Sequence, residues 1–167
     1  MSHISKRTPL LAAGALALLA AIAVAVMLAS SSAAASTRSA PRASAAGVST
    51  TIRTRHTRVG TILVSPSGET LYAFSRDSRN HNACASMRGC LSVWPITAVH
   101  GTLRAGSGVN HSLLGSIQVG RSRQVTYAGH PLYGYVGNSG PGDVSYVGAS
   151  SFGGRWPAVS PSGRLVR

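Results

Sequence analysis

Acidic side chains are almost missing from this chain. Glu69, Asp77 and Asp143 are the only three among 167 residues, against 16 Lys and Arg, for a formal net charge of +13. So few carboxylates leave little material for a glycosidase pair. Glu69 sits in a Ser-Pro-Ser-Gly-Glu turn and Asp77 at the end of the strand that follows it, an arrangement unlike a cleft. Nucleophile elbow, phosphate loop, dinucleotide fingerprint and H-E-x-x-H are all absent. The expectation is a non-enzyme with no cofactor. There is also no basic helix and no run of aromatics interleaved with Arg, which argues against nucleic acid as a partner. Beyond the first thirty or so residues no stretch keeps a helical period for three turns, which argues against a helical fold.

What is present begins with an export signal. Lys6 and Arg7 make a positive start, Leu10 to Ala29 is an unbroken uncharged apolar run, and Ala33-Ala-Ala35 offers an A-x-A cleavage site. Residues 1–35 read as a secretory signal peptide; the run is also long enough to remain as an uncleaved membrane anchor. Residues 36–58 are Ala, Ser, Thr and Arg with almost no large apolar side chain, and read as a disordered basic linker. The folded domain is expected over 59–167, near the common domain size. An exported, Arg-rich chain would have anionic wall polymers or a membrane surface as its partner.

The folded region says the same thing twice. Gly60-Thr-Ile-Leu-Val64, Leu71-Tyr-Ala-Phe74 and Trp94-Pro95 are answered in order by Gly115-Ser-Ile-Gln-Val119, Leu132-Tyr-Gly-Tyr135 and Trp156-Pro157. Such a duplication marks one supersecondary unit built twice and packed on itself. Repeat one spans about 59–95 and repeat two about 114–163. Short alternating runs closed by Ser65-Pro-Ser-Gly68, Gly120-Arg-Ser-Arg123, Ala128-Gly-His-Pro131 and Ser160-Pro-Ser-Gly163 predict a small antiparallel all-β domain. The first hairpin is expected to pair Val59–Val64 with Leu71–Phe74. At most one short helix is expected, in Cys84–Val93 ahead of Trp94.

In each Tyr-x-aromatic pair the rings lie two residues apart and share a strand face. Tyr72 with Phe74, and Tyr133 with Tyr135, are therefore expected in a small core closed by Trp94 and Trp156, rather than on a ligand-stacking platform. Asp77 and Asn138, just past these strands, can cap backbone N–H groups, Asn as well as Asp. Cys84 and Cys90 in an exported chain are expected to pair as a disulfide. The competing arrangement is a soft-metal site from His81, Cys84, Met87 and Cys90, which fall at even three-residue steps and suit copper. His130, before Pro131 in a turn, and Asp143 are the remaining candidate binding residues.

At these residues the sequence resembles a bacterial family of secreted-repeat, lipoprotein-like proteins of unknown function that carry a Tyr-x-(Phe/Trp/Tyr)-x-x-Asp motif. Tyr72-Ala-Phe74-Ser-Arg-Asp77 matches it in full, while Tyr133-Gly-Tyr135-Val-Gly-Asn138 ends on Asn. Gln124-Val-Thr-Tyr-Ala-Gly-His-Pro-Leu-Tyr133, Gly140-Pro-Gly-Asp143 and Gly153-Gly-Arg-Trp156 extend the likeness, as does the cysteine pair before Trp94-Pro95. The resemblance implies an exported, surface-associated β-repeat domain with a structural or binding role and no established reaction. No cysteine stands near the expected cleavage site, so the lipid anchor usual in that family has no attachment point there. An extracytoplasmic redox or metal-handling protein is the alternative function. The ligand and the oligomeric state have no signature in the sequence.

Overall fold

The computed structural model describes residues 47–167; the expected signal peptide and the first part of the expected linker lie outside the described residues. Ten strands, short and mostly antiparallel, make up the fold. β1 (Ser49–Thr57) turns into β2 (Gly60–Val64), and β3 (Thr102–Ala105) runs parallel along the other edge of β1. β4 (Leu114–Val119), β5 (Ser122–Tyr127) and β6 (His130–Pro131) form a meander in that order. β7 (Ala149–Ser151) pairs with β8 (Gly154–Trp156), and β9 (Ala158–Val159) with β10 (Leu165–Val166). The one α-helix among the described residues, α1 (Cys90–Val93), is a single turn. The all-β expectation stands, with the β1–β3 pair as a parallel exception.

The linker boundary needs correcting. Residues 49–57 are not linker but β1, with Thr50 and Ile52 buried. The run Ser-Thr-Thr-Ile-Arg-Thr-Arg-His-Thr is rich in β-branched residues, which suit a pleated, half-buried surface. Its arginines point outward, and that made its composition look like a tether.

The first hairpin is corrected too. β2 pairs with β1, not with Leu71–Phe74. Around the Ser65-Pro-Ser-Gly68 turn the chain pairs back only briefly, with Ser65 N–H on the Glu69 carbonyl at 2.9 Å, Leu71 N–H on the Leu63 carbonyl at 3.2 Å and a bridge between Val64 and Thr70, and then crosses to the other repeat. By hairpin position the counterpart of β2 is β5, the second strand of its own hairpin, whereas Gly115–Val119 lies in β4, a first strand. Gly60–Val64 and Gly115–Val119 therefore lie one strand out of step. Both strands of a hairpin carry the same alternation, so periodicity alone does not distinguish them.

The centre of the fold is a ladder of four extended segments. Tyr72 and Tyr133 exchange backbone hydrogen bonds in both directions, each 2.9 Å. Ile96 bridges the outer side of Tyr133, and Ala158 the outer side of Tyr72. The order 96–133–72–158 is that of a pseudo-twofold axis between the two tyrosines, since Trp94-Pro95-Ile96 and Trp156-Pro157-Ala158 follow matching tryptophans. Alternation sorts the ladder into faces. Leu71, Ala73 and Leu132 join an aliphatic core with Ile52, Leu63 and Val125, while Tyr72, Phe74 and Tyr133 face an aromatic core.

Two-residue turns close several hairpins. The β5–β6 turn holds Ala128 and Gly129 at φ of 51° and 84°, and the β7–β8 turn holds Phe152 and Gly153 at 53° and 72°. Positive φ at both central residues gives a turn whose twist matches that of the strands. A non-glycine there is strained, so Phe152 needs an anchor; its ring packs against the aromatic core.

Candidate functional site

The aromatic core is a column of rings. Trp94 and Trp156 stack face to face with centroids 4.0 Å apart and planes 3° from parallel. Phe74 stacks on the far face of Trp156 at 4.2 Å, and Tyr135 packs on Trp94 at 4.3 Å. Tyr146 continues the column from Tyr135 at 4.3 Å. Tyr72 stands edge-on to Trp94 and Tyr133 edge-on to Trp156, each pair at 5.2 Å. The pseudo-twofold runs through this arrangement: each Tyr meets the Trp of its own repeat, and each following aromatic (Phe74, Tyr135) meets the Trp of the other. Edge-to-face and offset stacks are the favoured geometries of aromatic pairs. Both indoles are fully buried, so their N–H groups require partners. Both find Ser151: Trp94 Nε1 donates to its Oγ at 3.0 Å and Trp156 Nε1 to its carbonyl at 3.4 Å. Nothing in the sequence marked Ser151 for that task.

The tyrosine hydroxyls cross between the repeats. Tyr133 donates to Asp77 Oδ2 at 2.8 Å, and Tyr72 donates to Asn138 Oδ1 at 3.0 Å. Each Tyr thus bonds the last residue of the other repeat's motif. Burial is the largest cause raising both phenols above their ordinary pKa, with Asp77 adding to the effect at Tyr133 and Asp143 at Tyr72. Both are neutral donors at any physiological pH.

Asp77 and Asn138 are not equivalent, contrary to the expectation that either residue serves equally. Asp77 accepts twice, from Tyr133 and, through Oδ1, from the Ala83 N–H at 2.8 Å. Asn138 accepts from Tyr72 and donates its Nδ2 to Glu69 Oε2 at 3.5 Å. The first position needs two acceptors and the second an acceptor and a donor, which matches carboxylate and carboxamide respectively. Burial raises the Asp77 pKa against the lowering effect of these bonds.

The remaining candidates are placed as follows. Cys84 and Cys90 form a disulfide, Cα atoms 5.4 Å apart, buried beside the rings. Both sulfurs being joined, the four-ligand arrangement with exposed His81 and half-buried Met87 loses its thiolates. His130 is half-buried in β6 opposite Tyr127; burial, then the neighbouring Arg79 charge, lowers its pKa. Asp143 is occupied by its own loop: its carboxylate accepts from the N–H and hydroxyl of Ser139 and from the Ser145 N–H, and these bonds hold its pKa well below the usual range. A buried polar pair that the sequence did not announce, Asn82 Nδ2 to Gln124 Oε1 at 2.7 Å, ties the disulfide loop to β5.

With this geometry in view, the family described as a secreted repeat of unknown function matches twice, over residues 53–98 and 121–160, together just over half of the chain. The chain belongs to that family. Each match spans one tyrosine motif and one Trp-Pro of the secreted-repeat unit; the first begins inside β1 and the second in the turn between β4 and β5. No curated protein and no solved structure matches the chain. In this secreted repeat the motif Tyr and Asp or Asn hold the two copies together.

Proposed function

We propose that this secreted-repeat protein is exported on residues 1–35 and works at the cell surface or wall as a non-catalytic binding or structural module, its arginine-rich surface facing an anionic polymer of the envelope. The observation that carries the reading is the separation of its charges. The three carboxylates hydrogen-bond to neutral groups: Asp77 to Tyr133 and Ala83, Glu69 to Asn138, and Asp143 to Ser139 and Ser145. Residues 47–167 contain twelve arginines, all of them exposed. A surface so one-sided in sign attracts polyanions from a distance. The motif residues meanwhile are engaged in joining the repeats, so the motif is architecture and the surface is the working part.

The test is retention of the full exported chain on purified anionic wall polymer at rising salt. Exposed charges are screened beyond about 10 Å at 0.1 M ionic strength, so retention should fall steeply with salt. Removing residues 36–46, which carry Arg38 and Arg42 and stop short of β1, should weaken it further. Retention indifferent to salt would rule out charge as the mechanism. Intact mass of the exported protein reports cleavage after the Ala33-Ala-Ala35 segment.

A further inference from the structure

We propose that the β7–β8 hairpin, with Arg76 laid against it, is a binding site for a phosphodiester group of a soluble polyanion. The inference rests on the wall-binding reading above and gives it a place and a ligand chemistry. A cavity of about 320 Å³ opens here, lined by Ser150, Ser151, Gly153, Gly154 and Arg155. None of these residues is acidic.

Arg76 borders the same hairpin. A methyl group added to Gly153 would lie 2.9 Å from Arg76 Nη1, and one added to Gly154 would lie 3.0 Å from Arg76 Cγ. The arginine stem therefore crosses both glycines, and side chains there would push it off. Arg155 is pinned from the same strand pair: its N–H donates to Ser75 Oγ at 2.8 Å, and its carbonyl accepts from the Ser75 N–H at 2.9 Å. Two exposed guanidinium side chains thus flank one small cavity, from segments bonded to each other.

Ser151 adds a directed donor. Its Oγ already accepts the Trp94 indole N–H, so the hydroxyl proton is what it has left to offer the cavity that it lines. The hairpin is also preformed. Phe152 sits at a φ of 53° in its two-residue turn and packs on the aromatic core, which fixes the hairpin before any ligand arrives. Planar guanidinium forks and serine hydroxyls in a fixed concavity suit a tetrahedral oxyanion, and Arg–phosphate bonds are among the stronger charge-assisted kind. The lining offers no large apolar side chain to insert into a bilayer, which favours a water-soluble phosphodiester chain over a membrane.

The experiment is a titration of the full exported protein, read by tryptophan fluorescence, because Trp94 is bonded directly to Ser151. The probe is poly(glycerol phosphate), with inorganic phosphate and phosphatidylglycerol vesicles as parallel arms. The wild type should respond to the polymer, and Arg76→Ala with Arg155→Ala should bind it about tenfold or more weakly, as expected for lost charge-assisted bonds. Arg76→Lys with Arg155→Lys keeps the charge, loses the fork and should fall between. Arg123→Ala with Arg164→Ala removes equal charge elsewhere and should bind nearly as the wild type does. Equal loss in the two alanine pairs overturns this site while leaving the charged-surface reading intact. Absence of polymer binding by the wild type overturns both. Inorganic phosphate binding as tightly as the polymer would make this a free-phosphate site, and tighter binding to vesicles a lipid site; either result overturns the polymer assignment.

Discussion

The Tyr133 hydroxyl and the Asp77 carboxylate belong to opposite repeats and lie 2.8 Å apart, and the Ala83 N–H takes the other carboxylate oxygen. Asp77→Asn therefore turns an amide donor toward one of two existing donors. It should cost about 1–3 kcal/mol, the usual penalty for a buried polar group left without its partner. Urea unfolding of the exported chain reads the loss; an unchanged midpoint would show that one acceptor is enough.

The same pair gives a pH signature. The Asp77 pKa is raised in the folded state, so between the unfolded value near 3.8 and the folded value the native protein holds more protons than the unfolded chain. Stability from this group falls as pH rises through that window and is level above it. In Asp77→Asn that slope should vanish, as thermal melts across the acid range would reveal.

Asn138→Asp should fail for a different reason. It places a second carboxylate where Nδ2 now faces Glu69 Oε2 at 3.5 Å. Two like charges so close and partly buried should cost roughly 1–3 kcal/mol at neutral pH, and the loss should shrink as acid protonates one of them. Melting curves of variant and wild type should approach each other on acidification; a gap constant with pH would exclude charge repulsion.

These effects bear on what was legible beforehand. The doubled Tyr and Trp markers, the aromatic core and the cysteine pair are local patterns, and a one-dimensional reading finds them. The crossing of Tyr72 to Asn138 and of Tyr133 to Asp77 is not local. Both motifs fit a self-capped turn equally well in sequence; Asp77 does cap its own loop at the Ala83 N–H, and only the pseudo-twofold ladder decides that each motif also bonds the other's tyrosine. β1 was hidden because its inward positions, Thr50 and Ile52, are outnumbered by half-buried Thr and exposed Ser, Arg and His. Ser151 carried no signal, since its bond to Trp94 comes from a hairpin folding onto the other repeat's tryptophan.

Trp94→Ala should cost about 3–5 kcal/mol, the range for a large ring removed from a packed core. It has a spectroscopic marker as well. Indoles stacked at 4.0 Å should couple in the near-ultraviolet circular dichroism, and either Trp94→Phe or Trp156→Phe should abolish the coupled band. A band that survives both single substitutions would mean that the indoles do not stack in solution.

His130 should make the domain acid-sensitive. Its pKa is lowered in the folded state by burial and by Arg79, so below the unfolded value near 6.5 the unfolded chain takes up protons first. The contribution is full above that value and is lost as pH falls through the window between the two. His130→Gln should flatten the melting temperature between pH 7 and 5 relative to the wild type. An identical slope in the variant would assign the acid sensitivity elsewhere.

The Cys84–Cys90 bridge closes a short loop, with a sequence separation of 6, between the Ala83–Asp77 contact and the turn that delivers Trp94. In the chain-entropy picture a loop this short contributes about 2 kcal/mol. Both cysteines are buried against the rings, so reduction would also leave two thiols packed where one bridge now fits. Cys84→Ser with Cys90→Ser should lower stability by about that amount or somewhat more, because hydroxyls would enter an apolar site. Native exported protein should show no reactive thiol until it is unfolded and reduced. The matching loop of repeat two, the β7–β8 hairpin, has no bridge and is held instead by Phe152 and the indole bonds to Ser151. Loss of the bridge should therefore loosen repeat one first, and hydrogen exchange should rise at Ala83 to Val93 before it rises at Ala149 to Trp156. Equal protection of both segments in the double serine variant would show that the aromatic column, and not the disulfide, holds the first loop.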